Sequence, residues 1–209
     1  MRVAIIDCGA GNLHSVRKAI ATQLPAGATL DVVTDAAAMA NATHIVLPGV
    51  GDFADCMQGF TALPGMRAAV EDAVLVQKKP FLGICVGMQM LFERGHEHGD
   101  HAGLGWFDGQ VRLIAPTDDS LKIPHMGWNR LQVADATHPF LAGIDQGAFV
   151  YFVHSYAATQ CNPAEVLGMV DYGGDVVALI ARDNIVGTQF HPEKSQRVGL
   201  AMIRNFLGM

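Results

Sequence analysis

Residues 81 to 93 read Phe-Leu-Gly-Ile-Cys-Val-Gly-Met-Gln-Met-Leu-Phe-Glu, and this stretch constrains the chain more than any other. An apolar run leads into Gly83-Ile84-Cys85-Val86-Gly87, after which Met88, Leu91 and Phe92 recur at helical spacing. That pattern predicts a strand, a very tight turn and a helix. Glycines two before and two after the cysteine form a Gly-x-nucleophile-x-Gly elbow, in which only small residues let strand and helix approach closely enough. Cys85 would project from the tip. There a helix N-terminus stabilises a thiolate, and the amide of Val86 points to where an oxyanion would form. The same five residues also fit a buried cysteine packed between two small neighbours, so the rest of the chain has to decide.

The N-terminal half alternates in type. Arg2 to Asp7 is a short apolar strand, and the turn at Gly9 to Asn12 leads into Leu13, Val16, Ala19, Ile20 and Leu24 at helical spacing. Further strands are expected at 29–33 and 43–47, the second ending in Pro48-Gly49-Val50-Gly51, and a helical region at 53–77 broken at Pro64-Gly65. Alternating β and α implies a parallel sheet. The C-terminal half changes to shorter strands, expected at 109–114, 122–124, 130–133, 149–153, 165–170, 176–181 and 185–190, before a helix from about Ser195 to Leu207. The expected architecture is therefore α/β: a flavodoxin-like three-layer fold with a mostly parallel central sheet extended by antiparallel strands, in one domain spanning residues 1–209. No repeat, low-complexity tract or linker interrupts it.

Bulk properties narrow the function. Half of the 209 residues are hydrophobic, yet no apolar run approaches the roughly 18 to 20 needed to span a bilayer. Met1 to Asp7 is too short and too soon charged for a signal-peptide core, and Cys8, Cys56, Cys85 and Cys161 show no Cys-x-x-Cys spacing. A reduced, cytoplasmic setting is expected. With 14 Lys+Arg against 20 Asp+Glu, the net charge of −6 argues against nucleic acid as a ligand.

A cysteine nucleophile needs a base, and His191 in Gln189-Phe190-His191-Pro192-Glu193-Lys194-Ser195 is the best candidate. In extended geometry His191 and Glu193 face the same side, so the carboxylate can fix the imidazole tautomer and stabilise the imidazolium. Read alone, the segment also fits a strand end followed by a first-turn acid of the last helix. Acyl transfer needs a second oxyanion donor besides Val86. The Pro48 to Gly51 loop leaves a strand at the same sheet edge as Cys85, and its Val50 amide is the chosen donor, although a plain tight turn would read the same way.

Three segments together, Gly83 to Gln89, Pro48 to Gly51 and Phe190 to Ser195, resemble the class I (triad) glutamine amidotransferases, with the Gln four after the nucleophile and His-Pro-Glu as the most specific marks. Three more, Asp7 to Leu13, Pro124 to Asn129 and Tyr151 to Tyr156, resemble the branch that serves imidazole glycerol phosphate synthase in histidine biosynthesis. The resemblance runs nearly end to end. It implies a triad of Cys85, His191 and Glu193, an oxyanion hole from the Val50 and Val86 amides, and substrate contacts from Gly51, Gln89, Ser155 and Tyr156. It further implies glutamine as substrate, no cofactor, and a heterodimer with a (β/α)₈-barrel cyclase that receives the ammonia. Asn12, Met126, Trp128 and Lys194 are the implied docking residues, with Trp128 alternatively an ordinary core aromatic.

His96, His98 and His101 invite a metal, but glycines and acids bracket them and an exposed polar loop is expected, with no metal site. The Gly95 to Gly99 segment matches nothing in the family pattern. The Asp7 to Leu13 turn lacks both Gly-x-Gly-x-x-Gly and Gly-Lys-Ser/Thr, which argues against a nucleotide. Other readings stay open. An anthranilate synthase glutaminase normally carries Pro-Gly-Pro-Gly where this chain has Pro48-Gly49-Val50-Gly51. A thiol hydrolase would not need Gln89 or Met126-Gly127-Trp128, and a non-catalytic subunit would tolerate loss of Cys85.

Overall fold

The computed structural model describes residues 1–9 and 12–209. In chain order the elements are β1 (Arg2–Ile6), α1 (Leu13–Ala21), β2 (Thr29–Val33), α2 (Ala38–Asn41), β3 (His44–Gly49), α3 (Phe53–Ala62), α4 (Met66–Glu71), β4 (Phe81–Cys85), α5 (Val86–Gln89), β5 (Phe92–Gly95) and β6 (His101–Ala102). They continue with β7 (Phe107–Leu113), β8 (His125–Arg130), β9 (Gln132–Val133), β10 (Phe149–His154), β11 (Tyr156–Thr159), β12 (Val166–Asp171), β13 (Asp175–Arg182), β14 (Ile185–Thr188) and α6 (Gln196–Leu207).

Eight strands form the central sheet in the order β2-β1-β3-β4-β14-β13-β12-β9. The five from β2 to β14 run parallel, and the remaining three are added antiparallel. The mixed, mostly parallel sheet expected from the sequence is what the chain builds. Val3, Ile5, Ile6, Ile45, Val46, Leu47, Phe81 and Leu82 are all buried, because helices cover both faces and leave no wet side. α1 packs with α6 on one face, while α2 and α3 both pack against α4 on the other. Pro48 sits in a central strand at little cost: β3 pairs with β1 only through Val46, so the missing N–H falls beyond that ladder. A β10–β8 ribbon and a four-stranded sheet, β11-β7-β5-β6, stand beside the C-terminal part.

Several elements differ from the sequence expectation. The helix after Cys85 is a single turn, and Phe92, read as its last apolar position, instead begins β5 opposite Phe107. No strand forms at 122–124; pairing starts at His125 and runs through the Met-Gly-Trp segment, where Gly127 takes φ +129° opposite Phe152. The long helical region is three pieces, with a widened turn over Asp72–Val76 after α4. Strands β5, β6 and β11 carry no alternating apolar pattern that would announce them. No helix among the described residues is long and apolar enough to cross a membrane.

Candidate active site

Register places the chemistry before any side chain is considered. Gly49 lies beside Cys85 and Thr188 beside Ile84, so β3, β4 and β14 end together and deliver Val50, Cys85 and His191 to one edge. Cys85 has φ +55° and ψ −112°, a conformation that costs a non-glycine residue about 1–3 kcal/mol. Close packing holds it there. A Cβ on Gly87 would lie 1.9 Å from the Leu47 carbonyl oxygen, one on Gly83 2.7 Å from that of Gly87, and one on Gly49 2.7 Å from the Gly87 nitrogen. The elbow is thus a three-glycine contact between β3, β4 and α5.

Cys85 and His191 are both buried and open onto one cavity of about 390 Å³, which Val50, Gly51, Val86, Gln89, Ser155, Tyr156 and Lys194 also line. The Glu193 side chain is fully buried behind the imidazole, with Oε1 2.8 Å from His191 Nδ1. Burial disfavours the imidazolium, but the Cys85 sulfur and the Glu193 carboxylate outweigh it and hold the His191 pKa up at about 9. Among the described residues Nε2 has no hydrogen-bond partner in normal range, and the Cys85 sulfur raises the imidazole pKa first as an acceptor facing that N–H and then through its charge. Ser195 locks His191 in place: its Oγ donates to the His191 carbonyl at 2.7 Å and accepts from the Tyr151 amide at 3.0 Å.

Gln89 is 2% exposed, and its amide nitrogen is engaged by the Tyr156 carbonyl at 2.9 Å and Gln189 Oε1 at 3.0 Å. Of the four expected docking residues, Lys194 lines the cavity with its ammonium 5.9 Å from the Tyr151 ring centre, and Trp128 packs edge-on against that ring. Trp128 is 45% exposed and Met126 61%, so Trp128 is no core aromatic. Asn12 lies just ahead of α1, which packs on the Pro192–Lys194 turn; it is not part of the cavity wall.

One carboxylate on the cavity wall escaped the sequence reading. Glu97, in the histidine-bracketed segment that matched no pattern, lines the cavity, and its Oε2 accepts from the Phe53 amide at 3.0 Å. Gly95 makes this possible, since a Cβ there would meet the Phe53 ring at 2.4 Å. His96 is turned elsewhere, to Asp100 at 2.5 Å and Gln110 at 2.8 Å. The available signal was an acid among histidines twelve residues past Cys85, and only the β5 turn reveals where it points.

A family model for glutamine amidotransferase class-I matches residues 4–209, and the chain belongs to that family. It is 54% identical over 213 residues to the imidazole glycerol phosphate synthase subunit HisH of Brucella suis biovar 1, covering 99% of this chain and 98% of that one. The HisH subunit of Rhodospirillum rubrum is 51% identical over 210 residues, with 99% and 98% covered. Among solved structures, PurLQS from Thermotoga maritima matches the fold with a TM-score of 0.71 at 17% identity, covering 99% of this chain and 97% of that one.

Proposed function

We propose that this chain is the glutaminase subunit of an imidazole glycerol phosphate synthase, acting in histidine biosynthesis in the cytoplasm as one unit over residues 1–209. The observation that carries the catalytic reading is a strained, buried Cys85 sharing a cavity with a buried His191–Glu193 pair. With its pKa near 9, His191 is imidazolium at neutral pH and can stabilise the Cys85 sulfur as the attacking anion. The sulfur attacks the side-chain carbonyl carbon of glutamine, and the oxyanion is held by the Val50 and Val86 amides. His191 then gives its Nε2 proton to the departing nitrogen, the C–N bond breaks, and ammonia leaves a glutamyl thioester. Neutral His191 takes a proton from water as it attacks the thioester, and collapse releases glutamate and restores the ion pair. Throughout, Glu193 keeps Nδ1 protonated.

Gly51, Gln89, Ser155 and Tyr156 hold the α-substituents of glutamine. Glu97 completes this set: it is the one carboxylate among the described residues that line the cavity, suited to an α-ammonium. Ammonia in neutral water is mostly protonated and no nucleophile, which is the reason to hand it directly to a partner. That partner is the cyclase, a (β/α)₈ barrel docking over the cavity mouth onto Trp128, Met126 and Lys194, with Asn12 at the margin. Similarity to two HisH subunits over nearly full length favours this partner over that of anthranilate synthase.

Glutamate release by the Cys85→Ala variant, measured with and without the cyclase and its ligand, tests the reading. Release should fall to background in both conditions. Retained glutamine-dependent synthesis would overturn the triad, and turnover of unrelated amides by the parent chain would favour a thiol hydrolase.

A further inference from the structure

We infer that Gln189, which none of the steps above uses, is a catalytic residue that donates a hydrogen bond to the Cys85 sulfur and holds it as the anion; this rests on Cys85 being the nucleophile. The single-turn α5 is too short to supply much helix-end potential, so the thiolate depends on individual donors. Gln189 extends the β13–β14 pairing through its amide, 2.9 Å from the Ala178 carbonyl, one residue past the end of β14 and two before His191. It is completely buried, and its Nε2 lies 3.7 Å from Cys85 Sγ.

Which end of the amide faces the sulfur follows from its neighbours. The Tyr156 carbonyl can only accept, so the Gln89 atom 2.9 Å from it is the nitrogen. That same nitrogen is 3.0 Å from Gln189, where an acceptor is therefore required, and Oε1 fills the role. The Gln189 nitrogen is left facing Cys85. A flipped amide would set two NH₂ groups against each other and an oxygen against the anion.

The arrangement is anchored further out. The Tyr156 carbonyl also accepts from His154 Nδ1 at 2.9 Å, and His154 Nε2 meets His125 Nδ1 at 3.0 Å. His125 is stacked between Phe152 and Tyr172, at 4.6 and 3.9 Å between ring centres. Burial holds both histidines down near pKa 4, so they stay neutral and keep one tautomer order: His125 donates to His154, and His154 to Tyr156. A neutral amide suits the position beside the thiolate, since it supplies a donor without competing with His191 for the proton.

The test uses the full-length chain, with Gln189→Leu and the near-isosteric Gln189→Glu. Alkylation of Cys85 by iodoacetamide is followed across pH by mass spectrometry of the Cys85 peptide, and glutamine hydrolysis is measured in the cyclase complex. Gln189→Leu should shift the alkylation profile about one unit to higher pH and slow alkylation about tenfold at pH values below the parent midpoint, with kcat reduced about tenfold and KM within twofold. Gln189→Glu should shift the profile further in the same direction. If Gln189→Leu does not fold, Gln189→Glu decides alone. An unshifted alkylation profile in a folded variant overturns the inference. Glutaminase activity surviving in Cys85→Ala would instead overturn the nucleophile assignment, so the two failures are distinguishable.

Discussion

At His191 burial and charge pull in opposite directions, and charge wins. The folded pKa of about 9 lies above the ordinary value of 6.5, so the imidazolium contributes stability that is fully present below pH 6.5 and lost as pH rises through 9. The effect is at most roughly 3 kcal/mol. Urea unfolding between pH 6.5 and 10 should therefore show falling stability. Glu193→Gln removes one of the two charges that raise this pKa, and the fall should come at lower pH and be smaller. Identical curves for the two proteins would mean that Glu193 does not act on the imidazole. Glu97 invites a different substitution. Glu97→Gln keeps an oxygen for the Phe53 amide but loses the charge, so steady-state kinetics should show KM for glutamine raised about tenfold or more with kcat little changed. An unchanged KM would remove Glu97 from substrate binding.

Among the elements, the elbow depends most on residue size. Gly87→Ala drives a methyl against the Leu47 backbone, which has no side-chain freedom with which to yield. It should cost about 2–3 kcal/mol in urea unfolding and displace Cys85 enough to abolish its alkylation preference over Cys161, whose thiol burial pushes up to about 11. Wild-type stability in this variant would mean that β3 and α5 can separate freely. The elbow was legible because glycines at fixed offsets leave few alternatives. The length of the helix behind it was not: Met88 and Leu91 fit one turn as well as three, and only pairing of Phe92 with Phe107 ends it. Likewise Glu93-Arg94-Gly95 has no apolar alternation, so β5 and the Glu97 it delivers to the cavity depend on tertiary pairing. Cys85, His191 and Glu193 could be read together because motif spacing encodes them. Gln189 could not, since its role depends on which way two amides face.

At the scale of the whole molecule, the cavity opens beside an apolar strip of Met126 and Trp128 on β8 and Phe149 on β10, exposed by 61%, 45% and 48%. Leaving three large apolar side chains in water is unfavourable unless something covers them. The strip is mechanically tied to His191: Trp128 packs on Tyr151, whose carbonyl accepts from the His191 amide at 2.9 Å and whose amide bonds Ser195. A cyclase seated there would close the route for ammonia and press on the segment that carries His191. Trp128→Ala should then leave the urea midpoint of the isolated subunit within about 0.5 kcal/mol of wild type, as expected for an exposed position. Affinity for the cyclase, measured by titration calorimetry, should weaken at least about tenfold, as for a central aromatic anchor. Stimulation of glutamate release by the liganded cyclase should fall even at saturating partner, because the contact through Tyr151 is lost as well as the anchor. Unchanged affinity together with unchanged stimulation would place the docking face elsewhere, whereas weakened affinity with full stimulation at saturation would keep the face and remove Tyr151 from the coupling.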